Sequence, residues 1–210
     1  RSGCDWSSDV CSSDLENKTI EHEKAGAEVL YSPMEVANAS NRTICLVETT
    51  RQVEEVICGE RGIIHGAKPG HIVICMSTID PAVAKRIASD LLLQEILMLD
   101  APVSGGTARA QAADLTVIAG GEKKVFDQCK DIFEAIGKDA FYIGDHGQGL
   151  VMKLINNMLG ITNTITLIEG LTIGAKSGIG LQTMLDVFRK SSGASARSEE
   201  RRVGKECRSR

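Results

Sequence analysis

A lysine inside an apolar run, with an asparagine four residues on, is the pair in this sequence best suited to proton transfer. The run is Gly147-Gln148-Gly149-Leu150-Val151-Met152-Lys153-Leu154-Ile155-Asn156-Asn157. Its glycines mark a helix start, which puts Lys153 about one turn in and Asn157 on the same face. Apolar neighbours and the positive end of the helix both penalise an ammonium, so the Lys153 pKa is expected to fall toward neutrality. Such a lysine can exchange a proton with a substrate hydroxyl near neutral pH. Asn157 can orient the same oxygen without competing for the proton. The plainer alternative is a lysine that snorkels to solvent and an asparagine of capping type.

Two further clusters carry chemistry. In Asp100-Ala101-Pro102-Val103-Ser104-Gly105-Gly106, a serine and two glycines follow a strand, at the carboxyl end of a sheet where open α/β folds bind ligands. Backbone N–H groups freed by the glycines can converge on an anion, with the Ser104 hydroxyl as a further donor, which suits a carboxylate. A plain tight turn is the alternative. Ser77-Thr78 follows another strand, so its residues either meet a cofactor at the sheet's edge or simply lead into a helix that Thr78 or Asp80 caps.

The elements that must position these groups alternate in type. Buried strands are predicted at Thr43–Val47 and Ile72–Met76, further strands at Ile96–Asp100 and Leu115–Ala119, a last short one at Phe141–Ile143, and a turn into a short strand at Gly26–Leu30. Helices are predicted at Met34–Ala39, Arg51–Gly59, from Asp80-Pro81 to Leu92, and Glu122–Ile136 with Gly137 as its left-handed terminus. That alternation predicts a largely parallel α/β sheet. The period then changes. Leu150–Ser177 has no proline and no strand-like alternation, so it reads as one helix of about 42 Å at 1.5 Å per residue, and Leu181–Lys190 begins another.

Composition excludes several classes. The chain has 210 residues, 42% hydrophobic, with a net charge of −4. That fits a globular protein and gives nucleic acid no basic surface to bind. The long apolar stretch is interrupted by Lys153, Asn156, Asn157, Asn163 and Glu169, so it reads as a soluble helix rather than a membrane span. Cys45, Cys58, Cys75 and Cys129 sit singly in apolar runs without a CxxC pair. They read as small core hydrophobes in a reducing, cytoplasmic compartment, and no metal site is predicted. Residues 1–15 show neither a helical nor a strand period, and 197–210 carry six Arg/Lys and three acids with almost nothing to bury; both are expected to be non-native extensions, and they contain Cys4, Cys11 and Cys207.

The order of DAPVSGG, a Gly-Gly-Glu turn, GxGxxxKxxNN and a long helix resembles the β-hydroxyacid dehydrogenase family. That family includes 3-hydroxyisobutyrate dehydrogenase and tartronate semialdehyde (2-hydroxy-3-oxopropionate) reductase. The resemblance implies an N-terminally truncated Rossmann-type domain over 16–148, then a long helix and the start of an all-α domain over 149–196. It implies hydride transfer between NAD or NADP and the hydroxyl-bearing carbon of a small 3-hydroxy acid or its semialdehyde. By the same resemblance Lys153 is the general acid/base, Asn157 helps hold the substrate, and Ser104, Gly105 and Gly106 bind its carboxylate. Thr78 approaches the nicotinamide.

Departures from the family pattern qualify this. The sequence has no GxGxxG loop, the feature that cradles a pyrophosphate, so the chain alone is expected to be inactive. Leu46-Val47-Glu48 stands where the family has Met-Leu-Pro, which makes Val47 the cofactor candidate there. Asn156-Asn157, in place of the His-Asn of 6-phosphogluconate dehydrogenases, favours the small-acid branch. The parent protein is expected to be a homodimer or homotetramer. A non-catalytic binding module on the same fold is the competing reading, and an imine reductase-like relative is disfavoured by the lysine.

Overall fold

A computed structural model describes residues 23–24 and 26–193. The expectations for 1–15 and 197–210, with Cys4, Cys11 and Cys207, lie outside the described residues. The chain divides into two compact units, one running through Leu154 and one from Ile155 onward.

In the first unit, β1 (Arg42–Cys45), β2 (Ile72–Cys75) and β3 (Leu97–Asp100) lie side by side and parallel, in register Cys45↔Cys75↔Asp100. Helix α1 (Pro33–Ala39) precedes β1; α2 (Thr50–Cys58) and the short α3 (Ile63–Gly66) lead from β1 to β2, and α4 (Pro81–Leu92) from β2 to β3. Local signals set the helix starts. Asp80 caps α4 by accepting the Ala82 N–H at 2.7 Å, with Pro81 at the first position. Thr49 and Gln52 form a reciprocal capping box on α2.

Strand side chains alternate between two cores, as a sheet covered on both faces requires. Val73, Cys75, Cys45 and Met98 pack with Val53, Ile57, Ile87 and Leu91 from α2 and α4. Ile72, Ile74, Met76 and Leu99 pack on the other face with Phe126, Cys129 and Phe133. The four described cysteines are free, three of them buried.

The sheet is mixed rather than largely parallel. After β3 the chain bends through Ala101-Pro102 into β4 (Val103–Ser104), turns into α5 (Gly106–Gln111), and returns as β5 (Leu115–Gly121). β5 runs antiparallel to both β3 and β4, through Asp100↔Gly120 and Ser104↔Thr116. A six-residue helix is too short to cross over the sheet, so the strand comes back in the opposite sense.

Three other sequence expectations shift. Residues 27–30 form no strand and pair with none of the described strands. The helix expected over Glu122–Ile136 is two, α6 (Lys123–Gln128) and α7 (Lys130–Ile136). The ladder tightens there, with the Cys129 N–H donating three residues back to Phe126. Gly137 is extended at φ −154, not left-handed. It opens β6 (Gly137–Gly144), parallel to β5, and a Cβ there would strike the Leu115 carbonyl.

Helix α8 (Gln148–Lys176) follows. In length and apolarity alone it would suffice to cross a bilayer. Its first turns belong to the first unit, where Leu150 is fully buried in the core against α2 and α4. In the second unit, Leu167 and Leu171 of α8 pack with Met184, Leu185 and Phe188 of α9 (Leu181–Lys190).

Candidate active site

Three parallel strands end together, so their following loops leave one edge of the sheet. The Met76 N–H donates to the Cys45 carbonyl at 2.8 Å, and the Ala101 N–H to the Cys75 carbonyl at 2.7 Å, closing that edge. Buried Ser77 accepts the Val47 N–H at 2.7 Å, which ties the first two loops together. Thr78 is exposed beside this tie, Val47 is half-buried and Glu48 is exposed. Asp80 caps α4, so Thr78 is not spent on that role.

The third loop carries the serine and two glycines. Ser104 ends β4 and is half-buried. Gly105 and Gly106 have φ of +145 and +69, backbone that L side chains rarely adopt, and a Cβ on Gly105 would also press on Leu115 and Arg109. The turn therefore requires glycine and leads directly into α5, which starts at Gly106.

The start of α8 sits against the end of β3. Asp100, fully buried, accepts the Gly147 N–H at 2.8 Å on one carboxylate oxygen and the Leu150 N–H at 3.2 Å on the other. His146 Nδ1 stands 3.8 Å from the first oxygen. Burial raises the Asp100 pKa above its ordinary value, against the pull of the two N–H groups and His146. No side chain separates helix from sheet here. A Cβ on Gly149 would lie 2.6 Å from the Ile118 carbonyl and 2.7 Å from the Gly120 nitrogen. Gly147 rests over the first turn of α4, near the Pro81 carbonyl and the Lys85 side chain.

Lys153 follows Leu150 by three residues on this anchored turn. It is 9% exposed, and burial lowers its pKa from the ordinary lysine value. The direction agrees with the sequence expectation. Asn157 lies one turn further along α8, in the stretch that belongs to the second unit, and is half-buried.

The first unit thus places Val47, Ser77 and Thr78 at the ends of β1 and β2, Ser104–Gly106 beyond β3, and Lys153 on a helix fastened to the end of β3. The sequence placed Asp100 and Ser77 within these clusters but not in the roles they take here, as acceptors that tie the helix and the first loop to the sheet. A carboxylate closing the apolar run Ile96–Leu99 is the signal that could have found Asp100, since such a group must meet buried donors.

Two family profiles match the chain: the NAD binding domain of 6-phosphogluconate dehydrogenase over residues 5–144, and NAD-binding of NADP-dependent 3-hydroxyisobutyrate dehydrogenase over 147–208. The 2-(hydroxymethyl)glutarate dehydrogenase of Eubacterium barkeri is 35% identical over 170 residues, 81% of this chain and 56% of that protein. The mitochondrial 3-hydroxyisobutyrate dehydrogenase of Mus musculus is 34% identical over 173 residues, 82% of this chain and 52% of that protein. The crystal structure of 3-hydroxyisobutyrate dehydrogenase from Salmonella typhimurium superposes with a TM-score of 0.75 at 32% identity, covering 90% of this chain and 67% of that one. The chain belongs to the β-hydroxyacid dehydrogenase family of NAD(P)-dependent oxidoreductases. It spans about half the length of the curated relatives it matches.

The cofactor class that goes with both profiles is NAD or NADP. Apolar Val47 follows β1 and hydroxyl-bearing Thr78 follows β2, on loops tied by the bond from the Val47 N–H to Ser77, and such side chains fit the nicotinamide end of that group. No GxGxxG occurs in the sequence, so no described loop has the pattern that grips a pyrophosphate.

Proposed function

We propose that this chain is part of an oxidoreductase acting on a small 3-hydroxy acid, such as 3-hydroxyisobutyrate or the glycerate/tartronate semialdehyde pair, with Lys153 as its general acid/base. The observation that carries the reading is a buried lysine with a lowered pKa on the first turns of a helix anchored at the carboxyl edge of the sheet. NAD or NADP, when bound, supplies or accepts the hydride.

This chain's residues manage charge and orientation. In the reducing direction the Lys153 ammonium donates its proton to the substrate oxygen as that oxygen gains negative charge, and in the oxidising direction the neutral amine takes it back. Asn157, at i+4 on the same helix, orients that oxygen by its amide. Ser104 and the Gly105-Gly106 turn hold the carboxylate, and Thr78 and Val47 border the nicotinamide. The sequence carries no GxGxxG pattern to grip a pyrophosphate, and on this reading the chain by itself is expected to turn over no substrate.

Titrating the purified chain with NADH and following nicotinamide fluorescence tests the last point, and tight binding defeats it. In a version extended to the length of its relatives, Lys153→Ala is expected to abolish turnover while cofactor binding persists. Unaltered turnover defeats the acid/base role, and an extended wild type without turnover favours a non-catalytic module.

A further inference from the structure

We propose that Asp100 is the positioning residue for Lys153, clamping the first turn of α8 to the end of β3 and so fixing the height and rotation at which the lysine is presented. The inference rests on the proton-transfer reading of Lys153 given above.

Three observations carry it. The Asp100 carboxylate grips two N–H groups at the start of α8, one on each oxygen: that of Gly147 just before the helix and that of Leu150 in its first turn. Two such contacts fix rotation as well as distance, which one contact does not. Lys153 is the next residue but two after Leu150, so little slack intervenes. The glycine contact leaves no side chain to take up a shift, because Gly149 meets the backbone at Ile118, Gly120 and Asp100 within 2.6–2.8 Å of where its Cβ would stand.

Energetics point the same way. A buried carboxylate is costly unless donors surround it, and a chain that needed only a strand end at position 100 would carry an apolar residue there. The open N–H groups and positive end of α8 are what make the charge tolerable. The other titratable groups at this junction are His146 and Asp145 on the turn before α8 and Lys85 on α4.

The test uses the whole 210-residue chain with Asp100→Ala and Asp100→Asn, the latter keeping one acceptor oxygen. Residue-resolved amide exchange is measured at Gly147 and Leu150, with Val73 and Ile74 of β2 as the internal standard. The Lys153 titration is followed by NMR of labelled side-chain nitrogen. Asp100→Ala is expected to speed exchange at Gly147 and Leu150 about ten-fold or more, with the β2 amides unchanged. The Lys153 midpoint is expected to move up toward the ordinary lysine value, and Asp100→Asn to recover part of both effects.

A folded Asp100→Ala chain with an unmoved Lys153 midpoint overturns the assignment. If that variant does not fold, Asp100→Asn carries the same comparison. Through-hydrogen-bond coupling from the Gly147 nitrogen to the Asp100 carboxyl carbon is then sought in the wild type, and its absence overturns the assignment too. An ordinary Lys153 titration in the wild type defeats the proton-transfer reading itself. The Asp100 assignment is judged separately, from differences between variants and wild type.

Discussion

The Val47 N–H and the Ser77 hydroxyl oxygen meet at 2.7 Å across thirty residues of sequence, where β1 and β2 give way to their loops. Together with the Asp80 N–H, which donates to Thr50 Oγ1 at 3.4 Å, this contact ties the two loops to each other. Ser77→Ala removes the acceptor and strands a part-buried N–H. A loss of about 1–2 kcal/mol in folding stability is expected, read from urea denaturation. An unchanged midpoint would show that the loops are held by other means.

Lys153→Met keeps length and apolar bulk while removing the buried charge. The lysine's folded pKa lies below its value of 10.5 in the unfolded chain. The unfolded chain therefore holds the proton more tightly, and the burial penalty is full below the folded pKa. It is relieved as pH rises through the folded pKa toward the unfolded one. Wild type is expected to gain stability relative to Lys153→Met across that window. Parallel stability profiles in alkali would refute a buried, perturbed lysine.

His71, 3% exposed, meets Thr43 Oγ1 at 2.9 Å through its Nε2, and burial lowers its pKa from 6.5. Protonation then favours the unfolded chain. The stabilising share of a neutral His71 is complete above the unfolded pKa and declines as pH falls through 6.5 toward the lower folded value. In His71→Gln, which keeps a side-chain hydrogen bond to Thr43 within reach, that segment of the acid-stability slope should vanish. Thermal melts of both chains between mild acid and neutrality supply the comparison.

Two glycines of α8 should respond oppositely to alanine. At Gly149 the new methyl meets backbone atoms 2.6–2.8 Å away on three residues, and a loss of about 1–3 kcal/mol or more is expected. At Gly170 nothing lies within 4 Å, so helix propensity alone should stabilise by about 0.5–1 kcal/mol. Equal melting shifts at the two positions would contradict the close approach of helix and sheet.

What the sequence made legible was local. Asp80-Pro81 announced the start of α4 because the cap and the proline act on their own first turn. The long helix and the buried strands β2 and β3 followed from period and apolarity. What stayed hidden depended on partners far along the chain. Gly137 does end its helix, but its extended backbone and its place at the head of β6 depend on Leu115, which comes against it across the sheet. The sense of β5 is set by how short α5 is, not by the pattern of β5 itself. Within the site, Lys153 and the Ser-Gly-Gly turn stand out by residue type and neighbours. Asp100 does not, because its two donors are 47 and 50 residues away.

Those same separations govern the order in which the molecule can assemble. The first turn of α8 finds its carboxylate only after β3 is in place, and its glycine finds a seat only after β5 has paired beside it. Closing loops of that length is slow relative to winding a helix. The middle of α8 can therefore coil early, while the end that bears the lysine waits for the sheet and becomes one of the last parts to set.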